Sequence, residues 1–156
     1  MISAIVAADE NFGIGFQGKL LMPIPEDLKY FKELTNGHIV VMGSKTWDSL
    51  PIKPLPNRLN IIITRNPSLV ENKFPNVWYG TIGDVIEKVF IEKEEIFIIG
   101  GGVIYEKLLS FCDRVYLTKI YKSFDNVDTY FPNLDDSPFW EKDHESEIFA
   151  HDGIPY

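Results

Sequence analysis

Three stretches of the sequence combine residue types that could bind or activate a small molecule. The first, Gly13-Ile14-Gly15-Phe16-Gln17-Gly18, follows an apolar run and matches the glycine spacing that binds dinucleotide phosphates. That use requires the last glycine to open a helix, and Pro23 and Pro25 come too soon for one. We therefore predict a long binding loop from Asp9 to Ile24, in which the glycines permit unusual backbone angles.

The second stretch is a predicted helix, Pro25–Thr35, with a carboxylate beside its apolar stripe. The stripe consists of Leu28, Phe31 and Leu34, and Asp27 lies on the flank of the same face, four residues before Phe31. Two interpretations stay open. Asp27 is either a first-turn carboxylate favoured by the helix dipole, or a carboxylate in an apolar pocket that binds a cationic or amidine-like group and assists proton transfer.

The third stretch joins a predicted buried strand, Ile96–Ile99, to a helix through Gly100, Gly101 and Gly102. Consecutive glycines weaken a structure unless a backbone or ligand must approach closely, and the amides of a helix start can bind an anion. A tight turn without any ligand is the alternative.

A weaker signal of the same kind follows two other predicted strands. The strand His38–Met42 leads into Gly43, Ser44, Lys45 and Thr46, and the strand Leu59–Thr64 is followed by Arg65. Each cation alone is typical of a solvated surface, but Lys45 and Arg65 after two strand ends could hold a phosphate between them.

The elements that must position these residues alternate between strands and helices. Short runs rich in Ile, Val, Tyr and Phe predict strands at Ile2–Ala8, His38–Met42, Leu59–Thr64, Val77–Tyr79, Ile96–Ile99 and Val115–Tyr121. Helical spacing predicts helices at Pro25–Thr35, Ser44–Leu50, Gly83–Phe90 and Val103–Phe111. The order predicts a single α/β domain over residues 1–156, with a central mixed, mostly parallel sheet flanked by helices. Since Val115–Tyr121 and Trp140–Phe149 have no helix between them, we expect antiparallel strands at the C-terminal end.

Composition limits the classes of function. The 156 residues are 45% apolar, and 15 Lys and Arg stand against 23 Asp and Glu, a net charge of -8. This charge disfavours nucleic acid and anionic membrane surfaces as partners. One cysteine, Cys112, cannot form an internal disulfide, and we find neither a secretory signal nor an apolar run of about 20 residues. The expected location is the cytoplasm.

Taken in order, these stretches resemble the dihydrofolate reductase family over essentially the whole chain. The matching residues are Ile14-Gly15, Pro25-Glu26-Asp27-Leu28 with Phe31 and Thr35, Val41-Met42-Gly43 with Thr46-Trp47, Pro54-Leu55-Pro56-Asn57-Arg58, Ile99-Gly100-Gly101-Gly102 with Tyr105-Glu106, Leu117-Thr118, and Asp128-Thr129 with Phe131-Pro132. Each string is common alone, but seven in register are specific.

The resemblance implies hydride transfer from NADPH to dihydrofolate by a monomer. Asp27 and Thr118 would be the catalytic pair, with Asp27 binding the pterin and supporting its protonation. The implied substrate-binding residues are Ile5, Ala7, Asp27, Leu28, Phe31, Leu50, Leu55, Arg58, Ile99, Tyr105 and Thr118, with Arg58 on the glutamate tail. The implied cofactor-binding residues are Ala7, Ile14, Gly15, Leu20, Gly43, Ser44, Lys45, Thr46, Ile63, Thr64, Arg65, Ile99, Gly101, Gly102, Val103, Ile104 and Tyr105. The Gly100-Gly101 peptide would be cis, and no metal is implied.

The sequence departs from the family pattern at three places. Leu21-Met22 replace a usual Pro-Trp, and Met22 cannot donate the tryptophan's hydrogen bond to a water. Ser44 and Val103 stand where basic residues are common, which leaves Lys45, Thr64 and Arg65 for the 2′-phosphate and narrows the margin of NADPH over NADH. Homologues generally run through a hairpin near Gly153–Tyr156 into one more strand, so we expect an open sheet edge that could pair with another chain.

Two alternatives to this enzyme stay open. The same fold could bind folate or a nucleotide as a non-catalytic structural module, which the altered loop would favour. It could also reduce another heterocycle, such as a pyrimidine intermediate of flavin synthesis. The joint presence of Asp27, Thr118, Arg58 and the three glycines favours the folate enzyme.

Overall fold

The structure, a computed structural model, describes all of residues 1–156. Its strands, in chain order, are β1 (Ile2–Ala8), β2 (Gly13–Phe16), β3 (Lys19–Leu20), β4 (Ile39–Gly43), β5 (Leu59–Ile63), β6 (Val77–Gly80), β7 (Ile96–Gly100), β8 (Arg114–Lys119), β9 (Thr129–Tyr130), β10 (Ala150–His151) and β11 (Ile154–Pro155). Its α-helices are α1 (Pro25–Thr35), α2 (Ser44–Ser49), α3 (Ile82–Asp84) and α4 (Gly102–Leu108). A π-helical turn, Val85–Val89, continues α3, and 3₁₀ turns occupy Pro67–Leu69, Leu109–Phe111 and Leu134–Asp136.

Six strands form one central sheet in the order β6-β5-β4-β7-β1-β8, and every neighbouring pair is parallel. Helices lie in every crossover except that between β5 and β6, which contains only the 3₁₀ turn Pro67–Leu69. The predicted α/β class and the helices on both faces are therefore confirmed. Because the strands are parallel, their carboxyl ends meet along one edge of the sheet. In such sheets, ligands usually bind in a crevice at this edge, at the point where the order of the strands reverses.

The two faces of the sheet carry separate apolar cores. The larger core joins Ala4, Val6, Ile96 and Ile98 of the sheet to residues of the π-helical turn and of α4, which are Val85, Val89, Ile104, Tyr105 and Leu108. The smaller core joins Ile5, Val40, Met42, Ile62 and Phe97 to Trp47 of α2, with Phe31 and Leu34 of α1 packed against it. Successive strand residues point to opposite faces, so Ala7 and Ile99, two residues beyond Ile5 and Phe97, face the α1 side.

The antiparallel strands expected at the C-terminal end lie outside the central sheet, in the β10–β11 hairpin. The strand observed at Val115–Tyr121, β8, runs parallel to β1, with Ala7 opposite Thr118. After β7, α4 and the Leu109–Phe111 turn return the chain to the opposite end of the sheet. The strand β8 therefore runs in the same direction as β7 and β1.

The strand expected at Trp140–Phe149 is not formed. Residues 141–149 are exposed and contain no strand, and the antiparallel pairing at this end is the short β10–β11 hairpin. A run such as Glu141–Glu147 offers charged rather than alternating apolar side chains, so it has no buried face to hold it. On its outer side β8 pairs with no strand, which leaves it as the sheet edge.

The segment Asp9–Ile24, predicted as a loop, contains two short strands. Its centre forms the antiparallel hairpin β2–β3, and β2 also pairs with β9 to make a three-stranded sheet. Gln17 and Gly18 at the tip have positive φ, as a tight hairpin turn requires. The hairpin pattern was hidden because β3 has only two residues. No helix combines the length and hydropathy needed to span a bilayer.

Candidate active site

The candidate site lies between α1 and the carboxyl edge of the sheet. Pro25 occupies the first turn of α1, and Asp27 follows in that turn, half-buried against the sheet. Thr118, near the end of β8, donates a hydrogen bond of 2.5 Å from Oγ1 to Oδ1 of Asp27. The two residues are 91 positions apart in the chain, so only the docking of α1 on the sheet brings them together.

The environment of Asp27 favours its protonated form. Burial raises the pKa of this carboxyl above its usual range, and the hydrogen bond from Thr118 opposes the rise. The carboxylate also meets the positive end of the α1 dipole, as the first interpretation required. The two interpretations of Asp27 are therefore compatible, because this carboxylate lies in the first turn of α1 and also lines an apolar crevice.

Most predicted substrate-binding residues share one face of the sheet. Five of them belong to or pack against the smaller core: Ile5, Phe31, Leu50, Leu55 and Ile99. Ala7 faces the same side because of its register with Thr118. Leu28, predicted as part of the buried stripe, is instead 48% exposed, because it follows Asp27 at the mouth of the crevice. An apolar side chain exposed at a crevice is suited to contact a ring.

Tyr105 packs on the opposite face of the sheet from the other predicted substrate-binding residues. It lies in the larger core on the α4 side, and its ring packs against Phe131 with centroids 4.9 Å apart. Its hydroxyl donates a 2.7 Å hydrogen bond to the carbonyl of Ile5. Tyr105 therefore braces β1 beneath the crevice, and its contact with a ligand stays a prediction.

Arg58 stands at the other end of α1 from Asp27. It is only 5% exposed, its Nε donates to the Pro56 carbonyl at 2.9 Å, and its Nη1 donates to Thr35 Oγ1 at 3.0 Å. Thr35 ends α1 eight residues after Asp27, which is about 12 Å of helix. Burial lowers the pKa of Arg58, because the guanidinium charge is poorly solvated there. A bound anion would stabilise that charge.

Asn60 positions Arg58 and was missed by the sequence analysis. It is fully buried, accepts the Leu55 N–H at 2.9 Å, and donates to the carbonyls of Leu55 and Arg58 at 3.0 Å. These bonds fix the Pro54–Arg58 loop. The signal was available, because Asn60 is a polar residue inside the otherwise apolar strand β5.

The predicted cofactor residues gather at the ends of adjacent strands. Gly43 and Ile63, the last residues of β4 and β5, are paired, so the exposed Lys45 and Arg65 follow neighbouring strand ends. The Gly100-Gly101 peptide is cis, as the resemblance implied. Leu20 and Val103 are exposed, whereas Ile14 and Ile104 are buried in the larger core, so their side chains serve packing.

The glycines at these strand ends lie close to other residues of the protein. A Cβ at Gly43 would come within 3.0 Å of Ile104, and one at Gly100 would come within 3.3 Å of the Tyr105 ring. At Gly101 only Thr46 Oγ1, at 3.3 Å, would be met. Of these glycines, Gly102 has the closest neighbour, because its Cβ would lie 2.6 Å from Thr129 Cγ2, so this glycine allows β9 to pack against α4. Glycines and hydroxyls beside two cations suit a phosphate-bearing dinucleotide.

Two cavities adjoin this crevice. One, of about 460 Å³, is at the opposite sheet edge and is bordered by His38, Asn57, Arg58 and Glu94. The other, of about 380 Å³, lies between the β2–β3 hairpin and the loop that follows β8, and Leu20 lines it. Neither is lined by Asp27 or Thr118, the predicted catalytic pair.

Comparisons with known proteins agree with this geometry. The family model described as dihydrofolate reductase matches residues 1–153. A dihydrofolate reductase of Bacillus subtilis (strain 168) is 41% identical over 138 residues, covering 88% of this chain and 79% of that protein. One from Buchnera aphidicola subsp. Acyrthosiphon pisum is 39% identical over 141 residues, covering 90% and 84%.

A solved structure is also similar. It is a dihydrofolate reductase from Enterococcus faecalis complexed with NADP(H) and RAB-propyl, with a TM-score of 0.74, 36% identity, and coverage of 86% of this chain and 79% of that one. A family match over nearly the whole chain, with the site residues in their expected order, decides the assignment. This chain belongs to the dihydrofolate reductase family.

Proposed function

We propose that this protein reduces 7,8-dihydrofolate to 5,6,7,8-tetrahydrofolate with NADPH. The observation that carries the proposal is the Asp27 carboxylate, half-buried at an apolar crevice and oriented by Thr118, in a chain of the dihydrofolate reductase family. A carboxylate in that setting can accept two hydrogen bonds from an amidine-like edge such as that of a pterin. It also stabilises positive charge on the ring when a proton is added.

The cofactor side of the crevice fits NADPH. NADPH supplies the hydride when it is bound. At Gly101 a Cβ would meet only Thr46 Oγ1, so this glycine would allow the dinucleotide to lie close to the backbone, with Ser44 and Thr46 as hydroxyl donors. Lys45 and Arg65, with Thr64, would hold the 2′-phosphate, which an exposed pair of cations favours over the uncharged ribose of NADH.

The protein's own contribution is positioning, exclusion of water and control of one proton. Ile5, Ala7 and Ile99 form an apolar floor under the reacting rings, while Leu28 and Phe31 form the wall on the α1 side. Asp27 stabilises the protonated pterin, and Thr118 keeps its carboxylate in one orientation. Because the crevice is apolar, the negative charge of Asp27 acts on the ring with little screening by solvent.

The far end of the crevice fits the substrate's tail. The separation of about 12 Å along α1 between Asp27 and Thr35 matches a ligand with a ring at one end and a carboxylate at the other. Arg58, held in place by Thr35 and the Pro56 carbonyl, would bind the carboxylate of the glutamate with its remaining N–H groups.

The test is a spectrophotometric assay with purified protein, NADPH and dihydrofolate, with identification of tetrahydrofolate as product. We expect turnover that depends on both ligands and a higher kcat/KM for NADPH than for NADH. Binding of both without turnover would favour the structural module. Turnover of a pyrimidine intermediate but not of dihydrofolate would favour the reductase of another heterocycle.

We further infer a cytoplasmic monomer. The support is the single thiol, Cys112, and the net charge of -8, which keeps copies of the chain apart. The oligomeric state needs a direct test, because the outer edge of β8 is unpaired and an unpaired strand edge can pair with another chain. Sedimentation equilibrium that gives the monomer mass across a range of concentrations supports the inference, and a dimer refutes it.

A further inference from the structure

Asp9 is a buried carboxylate that the proposed mechanism does not use. It follows β1 directly and is 3% exposed. Its Oδ1 accepts the N–H groups of Asn11 at 2.9 Å and Gly13 at 2.8 Å, and its Oδ2 accepts the N–H of Phe124 at 3.2 Å. The first two bonds close a local turn, and the third crosses 115 residues of sequence.

The charge of Asp9 has no cationic partner. The three salt bridges of the structure involve Asp84, Glu145 and Asp152, so only backbone N–H groups offset the burial of this carboxylate. A buried charge without such donors is costly, and each lost donor would leave part of it unsatisfied. The geometry around Asp9 is therefore tightly specified.

Gly13 adds to this specification. A Cβ at Gly13 would lie 2.9 Å from Val127 Cγ1 and 3.0 Å from Asp9 Oδ1, so no other residue fits without displacement. Gly13 is the first residue of β2, and the Asp9 N–H donates in turn to the Gly13 carbonyl at 2.9 Å. Asp9 thus holds the base of the β2–β3 hairpin on one side and the loop after β8 on the other.

The tip of the same hairpin is held separately. Asp128 Oδ2 accepts the Gln17 N–H at 2.9 Å, and the Asp128 N–H donates to the Gly15 carbonyl at 3.1 Å. Two carboxylates therefore fix the hairpin to one segment, residues 124–128, and only the one at its base is buried. The hairpin carries Ile14, Gly15 and Leu20, which stand on the predicted cofactor side of the crevice.

We propose that Asp9 is a positioning residue for cofactor binding: by tying the base of the β2–β3 hairpin to Phe124, it holds the hairpin in the orientation that receives the nicotinamide cofactor. The inference rests on the proposed function for the identity of that cofactor. It does not require Asp9 to touch any ligand. Its effect is expected on the cofactor, since the hydrogen-bond partners of Asp9 are Asn11, Gly13 and Phe124 and none belongs to α1.

The informative variant is Asp9→Asn, which keeps the shape and keeps Oδ1 as an acceptor for Asn11 and Gly13. Its amide NH₂ cannot accept the Phe124 N–H, so the variant loses the long-range bond together with the negative charge. Asp125→Asn is the matched control, because it removes an exposed carboxylate from the same loop. For both variants, the Kd values for NADPH and for dihydrofolate are measured by titration calorimetry, which needs no turnover.

We expect Asp9→Asn to raise the Kd for NADPH about tenfold, the scale of one hydrogen bond to a charged group, with the Kd for dihydrofolate within about twofold of the wild-type value. Hydrogen exchange in the unliganded wild-type protein should show protected amides at Gly13 and Phe124, and Asp9→Asn should release Phe124. An unchanged Kd for NADPH, an equal loss for both ligands, an equal effect of Asp125→Asn, or an unprotected Phe124 amide in the wild type would each overturn the inference. Absence of turnover with normal NADPH binding would instead count against the proposed function alone.

Discussion

Replacing Asp27 by Asn tests the central proposal most directly. The variant keeps the shape of the side chain and the acceptor for the 2.5 Å hydrogen bond from Thr118, so the change is the loss of one negative charge. A unit charge about 4 Å from a protonated ring contributes about 4 kcal/mol at an effective dielectric constant near 20. At 1.36 kcal/mol per decade this is about a 10³-fold loss in rate, within the range of about 10² to 10⁴ for a positioned acid or base.

The assay is a pH series of single-turnover hydride transfer. At neutral pH the Asp27→Asn rate should fall by about 10³, and much of the loss should be recovered in acid, where the substrate is already protonated. Glu26→Gln is the matched control, because Glu26 is an exposed carboxylate in the same first turn of α1. A loss below about tenfold for Asp27→Asn, or an equal loss for Glu26→Gln, would refute the role of Asp27.

The same variant has a stability signature whose sign follows from the pKa. Burial raises the pKa of Asp27 in the folded state, so above the usual Asp range the folded protein binds this proton more tightly than the unfolded chain does. Stability therefore falls as pH rises through the folded pKa, and Asp27→Asn lacks that loss. We expect its Tm to equal or exceed the wild-type Tm at neutral pH, with the advantage vanishing in acid. A lower Tm at neutral pH would contradict the argument.

Three further variants test the surroundings of the crevice. Thr118→Val removes the hydrogen bond that lowers the pKa of Asp27, so the pKa seen in the pH profile of kcat/KM should move upward, and a downward move would contradict the assignment. Arg58→Leu should raise the KM for dihydrofolate about 10- to 100-fold, and the loss should disappear with a substrate lacking the glutamate tail; an equal loss with both substrates would show a structural defect instead. Tyr105→Phe removes the 2.7 Å bond to the Ile5 carbonyl and should lower the free energy of unfolding in urea by about 1 kcal/mol, whereas an unchanged midpoint would show that the bond adds nothing.

Local sequence determined the elements of this protein. The strand Ile2–Ala8 and the helix Pro25–Thr35 were predicted with the bounds that the structure shows, because an unbroken apolar run and a helical stripe opened by proline each favour one conformation locally. The order of strands and helices also determined the α/β class. The strand at Trp140–Phe149 was predicted wrongly, since strand pairing depends on segments that meet only in the folded chain.

The site was decided by tertiary structure. Spacing placed Asp27 beside an apolar stripe, but only the packing of α1 on the sheet supplies the burial and the Thr118 hydroxyl that set its pKa. The support from Asn60 and Asp9 was hidden for the same reason, since their partners are backbone groups whose positions exist only in the folded chain. The sequence alone therefore determines which side chains are available, and the meeting of distant segments decides which of them are buried, charged and aimed at one another.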